Sequence, residues 1–187
     1  MIYIIYDLEA TCWEGYPLAS QQEIIEIAAF AVPQGEGISN KVFQSFVRPV
    51  LAPTLSTYCK RLTNIPQSKI DEADDFKIVN EKFSLWLEEF NEEIILCSWG
   101  DKDIEFLKND TRLHEIDLAY LNAAIDIKHA YYMLKELPHK IGLSNALKAE
   151  NIEAEGEQHR AYWDAFNLTR LFMKYRSEWA QYLEYYD

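Results

Sequence analysis

The chain has 187 residues, enough to bury the core of one domain, with 49% hydrophobic residues, 14% aromatic residues and a formal net charge of −13. No apolar run approaches the ~20 residues that span a bilayer, and the three scattered cysteines exclude a disulfide framework or a zinc-site pattern. We therefore expect a soluble, intracellular, cytoplasmic protein with no membrane partner, whose acidity excludes a broad electrostatic surface for nucleic acid.

The first predicted strand carries two acidic residues at its end. Residues 1–6 are apolar or aromatic, which is typical of a strand buried on both faces. Asp7 and Glu9 follow, and because side chains alternate along a strand, both carboxylates project from one face while Leu8 points to the other. Neighbouring carboxylates repel each other unless a cation lies between them, and hard oxygen ligands suit Mg²⁺ or Mn²⁺. On this motif alone, two solvated acids ending an edge strand remain the simpler interpretation.

Four more strands and several helices are predicted along the rest of the chain. Apolar runs indicate strands at 22–32, 42–47, 93–100 and 123–127. Helical patterns cover 76–91, a segment from 101 onward, 142–150 and a long closing helix at 161–185. Short connections make the first three strands an antiparallel meander, so the fold class is α/β: a mixed five-stranded sheet flanked by helices in a single domain, 1–187. Ligands of such sheets lie at the carboxyl ends of strands, where Asp7 and Glu9 are placed.

Three further residues complete a candidate site. Asp103 lies in the first turn of the helix after the fourth strand, with Asp101 as a rival; the helix dipole alone also favours an acid there. Asp164 lies one turn inside the closing helix among apolar residues, so its carboxylate needs a partner. His159, five residues earlier, is not at a same-face helical spacing and is predicted on the preceding loop, mobile relative to Asp164. An exposed loop histidine without a function is the simpler alternative.

The order and spacing of these residues resemble the three motifs of the DEDDh 3′→5′ exonucleases, which have an RNase H-like fold. The three motifs are Asp7-x-Glu9, Asp103 followed by a Phe-Leu pair, and His159-x-x-x-x-Asp164. The resemblance covers almost the whole chain and favours the branch of the histone-mRNA exonucleases, the RNA-interference-attenuating exonucleases and the KapD-type proteins. The segments that carry this branch resemblance are 7–13, 23–27, 58–65 and 156–161.

The resemblance implies metal-dependent removal of nucleotides from single-stranded 3′ ends of RNA or DNA, with 5′-nucleoside monophosphates as products. Two Mg²⁺ or Mn²⁺ ions would act in the reaction, and His159 would be the general base. The metal ligands would be Asp7, Glu9, Asp103 and Asp164. These four acids and His159 would be the catalytic residues. Tyr58 would stack on the terminal base, and the backbone at Ala10 and Thr11 would contact the terminal sugar.

Two positions depart from the pattern of the family. Lys102 precedes Asp103 where eukaryotic relatives usually have Trp, and Trp99 lies three residues earlier, which leaves Asp101 open as the middle acid. Asn64 stands where relatives usually have Gly.

Two other functions and a protein partner stay open at this point. A non-catalytic exonuclease-fold regulator would be expected to have lost an acid or the histidine, whereas a phosphodiesterase of very short oligonucleotides would suit a compact acidic chain. The aromatic residues near the acidic carboxyl end would form the surface that contacts a partner protein or a second copy of the chain. They are Trp179, Tyr182, Tyr185 and Tyr186.

Overall fold

The fold is built on one mixed β-sheet. The structure, a computed structural model, describes residues 1–15, 22–35, 37–118 and 120–185. The strands are β1 (Ile2–Ala10), β2 (Ile24–Pro33), β3 (Val42–Phe46), β4 (Ile94–Ser98), β5 (Ala123–Asp126) and β6 (Glu184–Tyr185). They lie in the order β3-β2-β1-β4-β5-β6. β1, β2 and β3 form the antiparallel meander, β4 and β5 run parallel to β1, and β6 is antiparallel to β5. The predicted five-stranded mixed sheet is confirmed, with one two-residue strand added.

Seven α-helices in the described part of the chain connect the strands. They are α1 (Thr57–Thr63), α2 (Gln67–Asp71), α3 (Phe76–Glu88), α4 (Lys102–His114), α5 (Ile127–Leu134), α6 (Leu143–Ala149) and α7 (Ala161–Lys174). α3 begins at Phe76, where the helical pattern predicts, and the Asp75 side chain caps it by accepting a hydrogen bond from the Ile78 N–H. Among these helices, none is both long enough and apolar enough to cross a membrane.

β1 is buried on both faces, as its apolar sequence predicts. Ile4 packs in one core with Phe83 of α3, whereas Tyr3 packs in the opposite core with Phe172 of α7, at 5.1 Å between ring centroids. Because side chains alternate along a strand, the even-numbered residues of β1 face α3 and α4 and the odd-numbered residues face α7. This alternation decides where the acidic residues at the end of β1 point.

The carboxyl-terminal segment differs from the prediction. The closing helix was expected to reach 185, but α7 ends at Lys174, and a 3₁₀ helix at Trp179–Tyr182 and strand β6 follow. Trp179 is fully buried, and its Nε1–H donates a hydrogen bond to the Phe172 carbonyl. Trp179 therefore folds back onto the core and is not part of a partner surface. The side chain of Tyr185 and the whole of Tyr186 lie outside the described residues.

Candidate active site

Asp7 and Glu9 lie at the carboxyl end of β1, on the face that is covered by α7. Leu8 between them is buried in the core on the α3 and α4 side, so the two carboxylates share the other face, as the alternation predicts. Both acids are half-buried. The pairing of β1 with β2 shifts register immediately after Glu9. A shift of this kind bends and twists the strand locally, next to the place where the two acids project.

Asp103 reaches this strand end from the first turn of α4. Its carboxylate is buried, 6% exposed, and Oδ1 accepts a hydrogen bond from the Leu8 N–H at 3.1 Å. Asp101 is exposed at the N-cap position of the same helix, and its side chain makes no capping hydrogen bond. The structure therefore brings Asp103, and not Asp101, against the backbone between Asp7 and Glu9.

Asp164 and His159 arrive together at the amino end of α7. The Asp164 carboxylate accepts a hydrogen bond from the His159 backbone N–H at 3.0 Å. His159 is exposed and has a left-handed backbone, with φ of 59°. One ligand atom each of Glu9, His159 and Asp164 lie within 4.8 Å of one another. The loop position predicted for His159 agrees with the structure, but its backbone is tied to Asp164 rather than independent of it.

Burial raises the pKa of each of the four carboxyl groups, and the charges of neighbouring carboxylates raise it further. Burial raises the pKa of Asp7 well above its usual range, and the charges of Asp103 and Glu9 raise it further. Burial, followed by the charge of Asp164, raises the pKa of Glu9 to about 9. Burial also raises the pKa of Asp103 to about 7 and raises that of Asp164, where the bond from the His159 N–H partly opposes it. Four such groups ionise together only when cations offset their charge, and their oxygens are the ligands that hard divalent cations prefer.

Of the residues predicted to contact substrate, Ala10 and Thr11 directly follow Glu9 at the end of β1, whereas Tyr58 lies on α1. Tyr58 is half-buried on α1, with the Arg61 guanidinium carbon 5.7 Å from its ring centroid. Ala10 and Thr11 are buried at the end of β1. The Thr11 N–H donates to the Glu23 carbonyl, and the Thr11 hydroxyl accepts from the Glu23 N–H. Contacts of these residues with a terminal base or sugar stay predictions, and the Thr11 groups already have partners within the protein.

Sequence reasoning does not single out Glu26 or Arg160, yet both border the site. Glu26 lies opposite Glu9 in the pairing of β1 with β2 and is fully buried. Its carboxylate forms an ion pair with Arg160, at 3.0 Å. A charged residue inside the apolar run 22–32 was the available signal, because a buried acid needs a partner. The partner is 134 residues away along the chain, which no local pattern reveals.

Comparison with known proteins identifies the family. The family model described as Exonuclease matches residues 4–172. The human protein ERI1 exoribonuclease 2 is 30% identical over 192 residues; the match covers 91% of this chain and 28% of the human protein, so the chain spans less than a third of that relative. The Drosophila melanogaster 3'-5' exonuclease Snipper is 30% identical over 191 residues, covering 91% of this chain and 68% of Snipper.

A solved structure places the fold in the same group. The nuclease domain of 3'hExo, a DEDDh family member bound to rAMP, superposes with a TM-score of 0.89 at 26% identity, covering all of this chain and 96% of that one. The predicted RNase H-like fold and the resemblance stated from the sequence are both confirmed by these matches. The chain belongs to the exonuclease family, within the DEDDh superfamily and its ERI1-like branch.

Proposed function

We propose that this chain is a divalent-metal-dependent 3′→5′ exonuclease that shortens single-stranded RNA or DNA and releases 5′-nucleoside monophosphates. One observation carries the proposal: four carboxylates and a histidine from three distant segments gather at the carboxyl end of the central strand. These residues are Asp7, Glu9, Asp103, Asp164 and His159. All five are present, which favours catalysis over a non-catalytic regulatory role.

The four carboxylates would hold two Mg²⁺ or Mn²⁺ ions. Their raised pKa values support this assignment, because clustered buried acids are stable as anions only beside cations. When bound, such cations lower the pKa of a water molecule and offset charge on the leaving 3′ oxygen. Asp7, on which the charges of Asp103, Glu9 and Asp164 all act, would help to hold both ions.

His159 would act as the general base that takes the proton from the attacking water. Its exposed imidazole lies at the edge of the carboxylate cluster, within 4.8 Å of ligand atoms of Glu9 and Asp164. The bond from its own N–H to Asp164 fixes the backbone, so that motion of the imidazole is left to the side-chain torsions. A positioned histidine is the usual group for this role because its pKa lies near neutrality.

The substrate would be the last few nucleotides of a single strand, held without a broad basic surface. Tyr58 would stack on the terminal base, a contact worth about 1–3 kcal/mol per base. The backbone near Ala10 and Thr11 would lie beside the terminal sugar. RNA is the first substrate to test, because the matched relatives include one named as an exoribonuclease and a nuclease domain bound to rAMP.

The direct test is incubation of 5′-labelled RNA and DNA strands of about ten nucleotides, a length within the usual range of single-strand sites, with Mg²⁺, Mn²⁺ or EDTA. We expect a ladder that shortens from the 3′ end, 5′-mononucleotide products, and no reaction in EDTA. A 3′-phosphorylated strand serves as the blocked control. Equal processing of a dinucleotide with no processing of the longer strand would favour the phosphodiesterase alternative, and full activity in excess chelator would contradict the metal requirement.

Two further parts of the proposal concern the whole chain. Residues 1–187 are proposed to act as one exonuclease domain, which is supported by a single sheet that includes both β1 and β6. A cytoplasmic location is proposed from the odd number of scattered cysteines, which is typical of reducing compartments.

A further inference from the structure

A buried ion pair lies beside the candidate active site, on the same face of the sheet as Glu9. The Glu26 carboxylate on β2 is fully buried. It accepts hydrogen bonds from the Arg160 Nε–H at 3.0 Å and from the Arg160 Nη2–H at 3.1 Å. It also accepts bonds from the Ala161 N–H at 3.2 Å and from the Gln44 amide at 2.9 Å. The guanidinium carbon stands 5.5 Å from the ring centroid of Phe46 on β3. The carboxylate is therefore fully partnered and joins two strands to the start of α7.

This pair supplies the cap that α7 otherwise lacks. Arg160 occupies the N-cap position, and its side chain makes no capping bond to its own helix. The Ala161 N–H, one of the donors that a helix start leaves unsatisfied, is instead bonded to Glu26. A residue on a central strand thus fixes where the helix begins.

A continuous series of hydrogen bonds runs from this cap to the candidate base. The Arg160 carbonyl accepts the Asp164 N–H at 3.0 Å, which sets the first turn of α7. The Asp164 carboxylate in turn accepts the His159 N–H. Glu26 lies opposite Glu9 in the strand register, so one residue fixes the helix start relative to the strand that carries Glu9.

We propose that Glu26 and Arg160 are positioning residues, which hold the 157–161 segment so that His159 and Asp164 meet Glu9. In this role the pair would act through the backbone of Arg160 and Ala161 rather than through a contact of its own with substrate or metal. This inference rests on the proposed exonuclease function for its kinetic consequence, but not for its effect on the loop.

The charge of Arg160 has a second consequence for the site. Cross-strand neighbours on one face of a sheet have Cβ atoms about 4.5–5.5 Å apart, so an unpaired Glu26 would place a fifth negative charge beside Glu9. The positive charge of Arg160 offsets the negative charge of Glu26. Bound cations would then have to offset only the charges of the four carboxylates of the candidate site.

The chain provides a matched control at the other end of the same helix. Glu150 is also buried, at 7% exposed, and pairs with Lys174 in the last turn of α7 at 2.7 Å. It further accepts bonds from the hydroxyls of Tyr131 and Tyr175. The two clusters both anchor α7 through a buried glutamate, but only the Glu26 cluster borders the candidate site.

The test compares the double variants Glu26→Gln/Arg160→Gln and Glu150→Gln/Lys174→Gln, in which each buried glutamate and its partner on α7 or at its start lose their charges; Lys135, which also pairs with Glu150 at 3.0 Å, keeps its charge in the control. Backbone hydrogen exchange of 157–161, measured in EDTA without substrate, should be faster by about 10-fold or more in the first variant and unchanged in the second. In the first variant, kcat on a single strand should fall about 10–100-fold, the usual loss when a residue that orients metal ligands is replaced. KM should be nearly unchanged. Arg160→Lys, which keeps the charge and loses the two-pronged contact, should recover part of kcat.

The outcomes separate this inference from the proposed function. If the wild type degrades no strand, the exchange measurement still decides whether the pair holds the loop. A folded Glu26→Gln/Arg160→Gln protein with wild-type exchange and wild-type kcat would overturn the positioning role. A lower kcat with unchanged exchange, a change confined to KM, or an equal loss of kcat in the Glu150 control would also overturn it. If the first double variant does not unfold cooperatively, Arg160→Lys and the single variant Glu26→Gln carry the same comparison.

Discussion

Replacing Asp103 by Asn should separate the metal function of this carboxyl group from its structural role. Its Oδ1 accepts the Leu8 N–H at 3.1 Å, and the amide oxygen of Asn can accept the same bond. The substitution therefore removes the charge and keeps the contact. We expect a protein that folds normally, is more stable without metal, and has lost most of its activity.

The gain in stability follows from the pKa of about 7, against an ordinary value of 3.8. Because the folded protein binds this proton more tightly than the unfolded chain, stability falls as the pH rises from about 4 to about 7 and then levels off. One pKa unit corresponds to about 1.36 kcal/mol, so the ionised group destabilises the metal-free protein by on the order of 4 kcal/mol above pH 7. Asp103→Asn should recover up to that amount at pH 8 and little at pH 4.

The assay is urea or thermal unfolding in EDTA at both pH values, where about 1 kcal/mol corresponds to about 2–4 °C in a chain of this size. Activity on a single strand with Mg²⁺ should fall about 10²–10³-fold, the usual cost of losing one electrostatic contact to the transition state. Asp101→Asn is the control, with little expected effect on either quantity, because Asp101 is exposed and makes no capping bond. Lower stability of Asp103→Asn at pH 8 in EDTA, or loss of activity only in Asp101→Asn, would refute the reasoning.

Four other outcomes are expected. Asp7→Asn should abolish turnover and preserve or raise metal-free stability, since burial and like charges oppose its ionisation; a large loss of stability in EDTA would indicate a structural ion pair instead. His159→Ala should lower kcat about 10²–10⁴-fold with Mn²⁺ affinity by calorimetry retained; a parallel collapse of affinity would make the imidazole a ligand. Gly156→Ala should cost at least about 1–3 kcal/mol of unfolding free energy, because φ is +71° and a Cβ would lie 2.0 Å from the Trp163 ring; Gly35→Ala, with φ of +86° and open space, should cost only about 1–2 kcal/mol. Saturating Mg²⁺ should raise the melting temperature more at pH 8 than at pH 5, and an equal shift at both would argue against carboxylate ligands.

Features that depend on local periodicity could be predicted from the amino-acid sequence. Strand alternation is set within a few residues, so the shared face of Asp7 and Glu9 and the opposite face of Leu8 follow from their spacing alone. The start of α3 at Phe76 followed in the same way, because the helical pattern and the capping acid before it act within one turn of the same helix. The order of the acidic motifs was sufficient to indicate the family, which the comparisons confirmed.

Tertiary structure alone decided the features that depend on contacts between distant segments. The spacing of the Phe-Leu pair favoured Asp103 over Asp101, but the contact of Asp103 with the Leu8 backbone depends on how α4 packs on the sheet, which its own sequence does not fix. The end of α7 at Lys174 follows from Trp179 turning back onto Phe172, where burial of the indole outweighs continuation of the helix. Glu26 pairs with Arg160, which is 134 residues away along the chain. A buried carboxylate requires a partner, but the residues around Glu26 in the sequence do not identify which residue that partner is.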